Sequence, residues 1–170
     1  YYQETAMLED AVGECGLGFC YQYGMGVEVN EIVAVSWFEK SAKRGNPTAQ
    51  WQLAQIYYNG TESIVANKKK GINYLQQAAD NGQLMAIACL AYEYASGENL
   101  EKDLAKSLEL FIKAADNGNV YAQAMVGIIY FEGDELVNNK KDYELAVKYL
   151  YSAAQYMKDD ESVTDETRGR

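Results

Sequence analysis

LGFCYQYGMGV, residues 17–27, decides how this chain is read. It is a helix end, with Leu17 and Tyr21 one turn apart, running into a Gly-x-Gly turn at Gly24 and Gly26. Three weaker echoes follow: LAQIYYNG at 53–60, LAYEYASG at 90–97 and VGIIYFEG at 126–133. From Gly24 to Gly60, Gly97 and Gly133 the steps are 36, 37 and 36 residues. A period in that range marks a solenoid, in which each unit is one supersecondary motif that buries its apolar face only by stacking on its neighbours.

Outward from the turn, each unit reads as helix A, loop, helix B, an all-α arrangement. The first full unit predicts helix A over 10–23, ended by Gly24, and helix B over 31–44, with Asn30 as N-cap and Gly45 closing it. Pro47 suits the first turn of the next helix, where its missing N–H costs nothing. Further helices are expected over 47–59, 69–81, 83–96, 102–117, 119–132 and 141–157. The repeats then span 10–46, 47–82, 83–118 and 119–157, with an acidic tail over 158–170. Shifted by 36 residues, Tyr1-Tyr2-Gln3-Glu4-Thr5-Ala6 falls on Trp37-Phe38-Glu39-Lys40-Ser41-Ala42. Residues 1–9 are therefore expected to be the remnant of an earlier repeat's second helix, from a longer array, or an N-terminal helical cap.

The spacings separate a rigid junction from a tolerant one. From the last small residue of helix B to the next helix-A glycine the distance is always 18: Ala6 to Gly24, Ala42 to Gly60, Ala79 to Gly97, Ala115 to Gly133. All length variation falls between helix A and helix B, a surface loop that can grow without re-aiming the array.

Composition excludes most chemistry. The chain has no His, so the usual general base and the commonest metal ligand are missing. Cys15, Cys20 and Cys89 show neither CxxC spacing nor a disulfide pattern and read as small buried apolar residues. Gly24-Met25-Gly26 lacks the strand–turn–helix setting and Lys of a phosphate loop. No catalytic, cofactor-binding or metal-binding residue is expected, and no cofactor. The net charge of −10 makes nucleic acid a poor partner. It fits either plain solubility or a protein partner with a basic surface. No apolar run approaches the ~18 residues of a membrane span, so no membrane insertion is expected. Unpaired Cys favour a reducing, cytoplasmic setting, and a periplasmic or secreted one is compatible if a leader was removed. Lys68-Lys69-Lys70 and Lys140-Lys141 read as solvated loop charges, or as rim contacts to an acidic partner.

The pattern A-x3-L-G-x2-Y-x2-G-x-G-V, followed by K-A-x2-W-Y-x-K-A-A-x2-G, resembles the Sel-one-like repeats (SLR), relatives of the tetratricopeptide repeats. Leu17-Gly18, Tyr21, Gly24, Gly26-Val27, Ala34, Trp37-Phe38, Lys40, Ala42 and Gly45 carry the match in the first full repeat. Later copies lose the second loop glycine, to Glu62, Asn99 and Glu135, but keep the helix-A tyrosine as Tyr57, Tyr94 and Tyr130. The resemblance implies a right-handed α/α superhelix that mediates protein–protein contacts, with no enzymatic activity.

Within helix A the core stripe is small residue, Leu, Tyr, as in Ala49-Leu53-Tyr57 and Ala86-Leu90-Tyr94, each four apart on one face. The other positions are free to line a concave groove and align in three rows: Phe19, Gln55, Tyr92, Ile128; Gln22, Tyr58, Ala95, Phe131; and Tyr23, Asn59, Ser96, Glu132. The candidate partner-binding residues are Phe19, Gln22, Tyr23, Trp51, Gln55, Tyr58, Tyr92, Ile128 and Phe131, with Tyr58, Tyr92 and Phe131 expected to point away from the core. Two roles fit: an adaptor or scaffold that binds a partner in the groove, or a bacterial immunity-type inhibitor of a cognate secreted toxin.

Overall fold

The computed structural model describes residues 10–168, with side chains through Gln155, so the helical remnant expected at 1–9 lies outside the described residues. Seven helices of 13 residues come first: α1 Ala11–Tyr23, α2 Glu31–Lys43, α3 Pro47–Asn59, α4 Lys68–Asp80, α5 Leu84–Ser96, α6 Leu104–Asp116 and α7 Val120–Glu132. A 3₁₀ turn at Glu135–Val137 and a longer helix, α8 Tyr143–Arg168, complete the described residues, which contain no strand. Odd-numbered helices are the A helices and even-numbered ones the B helices.

Short polar side chains start these helices. Asp10, Asn30, Asn46, Asn67, Asp103 and Asn119 each sit just outside a helix and accept a hydrogen bond from a first-turn N–H that has no intrahelical partner. Helix A ends each time at a glycine with positive φ: Gly24, Gly60, Gly97 and Gly133.

The loop from A to B closes with one recurring bond whatever its length. The N–H that opens helix B donates to the carbonyl of the helix-A tyrosine: Asn30 to Tyr21, Asn67 to Tyr57, Asp103 to Tyr94 and Asp142 to Tyr130, at 2.6–2.9 Å. Each bond satisfies a C-terminal carbonyl orphaned by the end of its helix. The fourth loop is longest and fits in the Glu135–Val137 turn and two positive-φ asparagines, Asn138 and Asn139, without disturbing that closure.

The B-to-A junction is built differently, which explains its fixed spacing. Gly45, Gly82 and Gly118 turn the chain at φ 84°, 85° and 88°. Directly after them Asn46, Gln83 and Asn119 return N–H bonds to Ser41, Ala78 and Ala114. A glutamine on the incoming helix then donates to the last small residue of the outgoing one, Gln50 to the Ala42 carbonyl and Gln123 to the Ala115 carbonyl, both at 3.1 Å. An inserted residue would break all of these at once. Nothing lies within 4 Å of a Cβ added at Gly82, so Gly82→Ala is opposed by backbone conformation alone. It is expected to lower stability by about 1 kcal/mol, read as a shift of the urea midpoint with an unchanged slope.

The chain divides into two compact units at Ile87/Ala88, inside α5. In the first, α1 packs on α2, α2 on α3 and α3 on α4. Its core joins Cys15, Ala34, Val35, Phe38, Ala42, Ala49, Leu53 and Ile56, with Phe19, Tyr21, Tyr57, Ile64 and Tyr74 packed against them. In the second, α6 packs on α7 and α7 on α8, around Leu90, Phe111, Val126, Ile129 and the alanines at 91, 114, 115, 122 and 146. The buried hydroxyl of Ser107 on α6 donates to the Ala91 carbonyl at 2.7 Å, fastening α6 to the end of α5.

Residues 158–168 of the stretch expected to be a tail are helical. α8 continues to Arg168, where the preceding B helices stop after 13 residues. The register gives the reason: the turning glycines Gly45, Gly82 and Gly118 align with Met157, a residue without glycine's freedom at positive φ, so nothing ends the helix there.

Candidate protein-binding surface

The expected surface positions fall into three environments. In the first unit Phe19 is half-buried and sits edge-on to the core ring of Phe38, centroids 5.2 Å apart, while stacking on Tyr23 at 6.2 Å. Phe19 thus shields the core, and Tyr23 is the exposed member of the pair. Gln22, Trp51 and Gln55 are half-buried on their helices, and the buried Oε1 of Gln22 has no hydrogen-bond partner among the described residues. Tyr58 is half-buried rather than free: Lys68 Nζ lies 5.4 Å from its ring centroid, and Gly71 approaches so closely that a Cβ there would fall 2.7 Å from the Tyr58 nitrogen.

In the second unit the same register positions open to solvent. Tyr92 on α5 is 54% exposed, and Ile128 and Phe131 on α7 are 42% and 55% exposed. The Phe131 ring meets Tyr143 of α8 edge-on at 5.8 Å. Tyr121 and the half-buried Met125 continue the α7 stripe, giving 121, 125, 128 and 131 along one side of the helix. Tyr121 lies outside the candidate rows but is exposed on the same side of the helix. Its i, i+7 relation to Ile128 was the available signal, but the first turn of helix A lay outside the three rows.

Within the basic run at 68–70, Lys70 is not a loose charge, while Lys68 and Lys69 are exposed. Lys70 Nζ bonds Glu39 Oε1 at 2.9 Å, which also accepts from Tyr57 Oη at 3.0 Å, and it lies 3.8 Å from the Tyr57 ring centroid. Three helices, α2, α3 and α4, meet at this cluster. Burial alone would raise the Glu39 carboxyl, but hydrogen bonds from Lys70 and Tyr57 and the Lys70 charge outweigh it and hold Glu39 below its ordinary value. Burial pulls Lys70 down, and its bonds to Tyr57 and Glu39 with the Glu39 charge more than reverse that. Lys106 repeats part of the arrangement, its Nζ 4.5 Å from the Tyr94 ring centroid.

The three cysteines are unpaired. Burial pushes the Cys15 thiol up to about 11, and burial with the nearby Glu93 charge raises Cys89, so both are protonated at neutral pH and poor nucleophiles. Among the described residues no group of three or more acidic or Cys side chains could hold a metal ion, and no helix is long and apolar enough to cross a membrane.

Comparison with known proteins follows the same register. The Sel1 repeat family model matches four times, at residues 11–46, 47–83, 85–119 and 120–155. The chain is 35% identical over 85 residues to a sel1-like repeat-containing protein of Acanthamoeba polyphaga mimivirus, covering 50% of this chain and 15% of that one. Its structure superposes with a TM-score of 0.84 on a Sel1 repeat protein from Oxalobacter formigenes, at 27% identity over 91% of this chain and 62% of the other. An immunity protein from Pseudomonas aeruginosa shares the fold, with a TM-score of 0.63 at 20% identity over 93% of this chain and 59% of that one. The chain thus spans less than two thirds of the length of each of these relatives. Four matched copies across residues 11–155, built as alternating A and B helices, place the chain in the Sel1 repeat family.

Proposed function

We propose that this chain is a non-enzymatic adaptor that holds a partner protein against the exposed side of its A helices, with α7 and the end of α5 as the main contact. Sel1 repeat proteins generally mediate protein–protein interaction. One observation carries the reading: Tyr92, Tyr121, Ile128 and Phe131 stand in solvent on helices whose opposite side is fully buried by Leu90, Val126 and Ile129. Large aromatic groups with no core role are the usual anchors of a protein interface. The net charge of −10 favours a partner with a basic surface.

Tyr92→Ala and Phe131→Ala are each expected to weaken capture of the partner at least tenfold, about 1.4 kcal/mol or more. Tyr92→Ala should leave the melting temperature within about 2 °C of the parent, since an exposed side chain away from packing contributes within about ±0.5 kcal/mol, while Phe131→Ala also loses the edge-on contact with Tyr143 and should lower it by a few degrees. Immobilised protein, a pull-down and titration of the recovered partner would test this. Unchanged binding in both variants, or a large fall in melting temperature, would move the contact elsewhere. The acidic charge also favours a second reading, an inhibitor that covers one basic secreted toxin. A single basic protein held at nanomolar affinity supports it, and several cellular partners support the adaptor.

A further inference from the structure

The first unit holds a cleft whose charge is opposite to that of the chain. It has a volume of about 530 Å³ and is lined by Lys43 at the end of α2 and by Asn67, Lys69, Lys70, Asn73 and Tyr74, at the cap and along the first half of α4. Residues 31–44 and 67–80, which build it, carry six bases and three acids in a chain whose net charge is −10.

The acids do not cancel this excess at the cleft. Glu31 stands at the opposite end of α2, where it accepts from Thr61 Oγ1 and the Ser63 N–H. Asp80 closes α4 and accepts from Gln76. Glu39 lies beside the cleft, and its charge is already met by Lys70 at 2.9 Å, by the Tyr57 hydroxyl and by the field of Lys43 one turn on. Packing accounts for several of the bases: Lys40 lies over Trp37, Lys68 over Tyr58, and Arg44 is paired with Glu14. Lys69 has no such role. It is exposed, makes no contact of this kind among the described residues, and stands in the first turn of α4, where the helix dipole disfavours a cation.

The neutral groups of the cleft are set up as donors. Asn67 accepts the Lys70 N–H on its Oδ1 at 3.0 Å, and Asn73 accepts Gln77 Nε2 on its own. Both amide nitrogens are left to donate. Tyr74, stacked on Tyr57 at 5.9 Å, gives a half-buried aromatic wall. A cleft of this size, with lysines contributed by both helices and amide donors beside them, matches an extended peptide with carboxylates along it. The carboxylates meet the ammonium groups, and main-chain carbonyls accept from the amides.

We propose that this cleft binds an acidic, extended segment of a second protein, its carboxylates held by Lys43 and Lys69. The site uses none of the residues of the adaptor surface and gives the adaptor a second ligand, of opposite charge to the first.

Fluorescence anisotropy of rhodamine-labelled hexaglutamate titrated with the 170-residue chain tests this. Binding is expected at low ionic strength, against the net charge of the chain, and should weaken several-fold between about 20 and 150 mM NaCl. Lys43→Gln and Lys69→Glu should each weaken it about fivefold or more. Lys69→Glu should at the same time raise the urea midpoint, because an anion suits the first turn of a helix. The double variant Lys140→Glu/Lys141→Glu alters the net charge more than either and should change binding less than about twofold. No binding at low salt overturns the proposal. So does binding that is indifferent to both cleft variants, or that is lost equally in the Lys140/Lys141 variant. Inorganic phosphate competing as well as unlabelled hexaglutamate, at equal concentration of charge, overturns the peptide as occupant in favour of a simple anion. Tyr92→Ala and Phe131→Ala should leave hexaglutamate binding unchanged, so the cleft and the adaptor surface can fail separately.

Discussion

Phe38→Ala is expected to lower the unfolding free energy by about 3–5 kcal/mol, with Phe111→Ala costing a similar amount. Both rings sit at the same register position of helix B, essentially without solvent contact. Phe38 presses against Gly18 of α1 so closely that a Cβ there would lie 2.5 Å from the ring, and its edge meets Phe19. Removing it leaves a void lined by α1 and α2, which the backbone cannot close without breaking the Asn30-to-Tyr21 loop bond. The fall in melting temperature should be on the order of 10 °C. Leu150→Ala is the informative control, because Leu150 packs over Gly127 as Phe38 does over Gly18 but is partly open. It should cost about 2 kcal/mol or less. Urea titration followed by circular dichroism measures all three. Equal losses at Phe38 and Leu150 would mean that Leu150 is covered in solution.

Much of the repeat was legible because it recurs in register. The N-cap Asn30 and the closing glycines Gly24, Gly45 and Gly133 stand where turn chemistry puts them, while Asn119, read as the first residue of its helix, is its N-cap. The stripe Ala49-Leu53 and Ala86-Leu90 is buried as its four-residue spacing implies, while Tyr57 and Tyr94, at the end of the stripe, are only half-buried. What one period cannot show is contact between periods. The role of Lys70 depends on Glu39, 31 residues away, and on Tyr57 and Tyr74, so a run of three lysines reads as solvated until the helices are stacked. Phe19 and Tyr92 share a register position but differ in surroundings, one against Phe38 and the other in solvent. Alignment of the copies alone made them equivalent. The continuation of α8 was visible as Met157 in a glycine column, a single departure whose effect is clear only once the glycine φ values are known.

Arg44→Ala should destabilise the chain by about 2–3 kcal/mol, more than a surface ion pair contributes. The asymmetry of the pair is the reason. Arg44 Nε donates to Glu14 Oε2 at 3.1 Å, with the arginine side chain 39% exposed and the glutamate side chain 6% exposed. Loss of the guanidinium strands a carboxylate that water reaches poorly, and that desolvation dominates the cost. The next repeat solves the same problem without charge: Gln50 and Asn81 occupy the register positions of Glu14 and Arg44, and Asn81 Nδ2 donates to Gln50 Oε1 at 2.9 Å. In the third repeat the helix-A position is Ile87, and Asn117 donates to the Lys113 carbonyl of its own helix instead. The double variant Glu14→Gln/Arg44→Asn transplants the second repeat's pair into the first and should recover most of the loss, to within about 1 kcal/mol of the parent. Glu14→Gln alone should cost less than Arg44→Ala, because a neutral amide is cheaper to bury than a carboxylate. A double-mutant cycle from urea midpoints resolves the coupling. If Arg44→Ala proves neutral, Glu14 is hydrated in solution. If the double variant is no better than Arg44→Ala, the two repeats do not share the geometry that their common register implies.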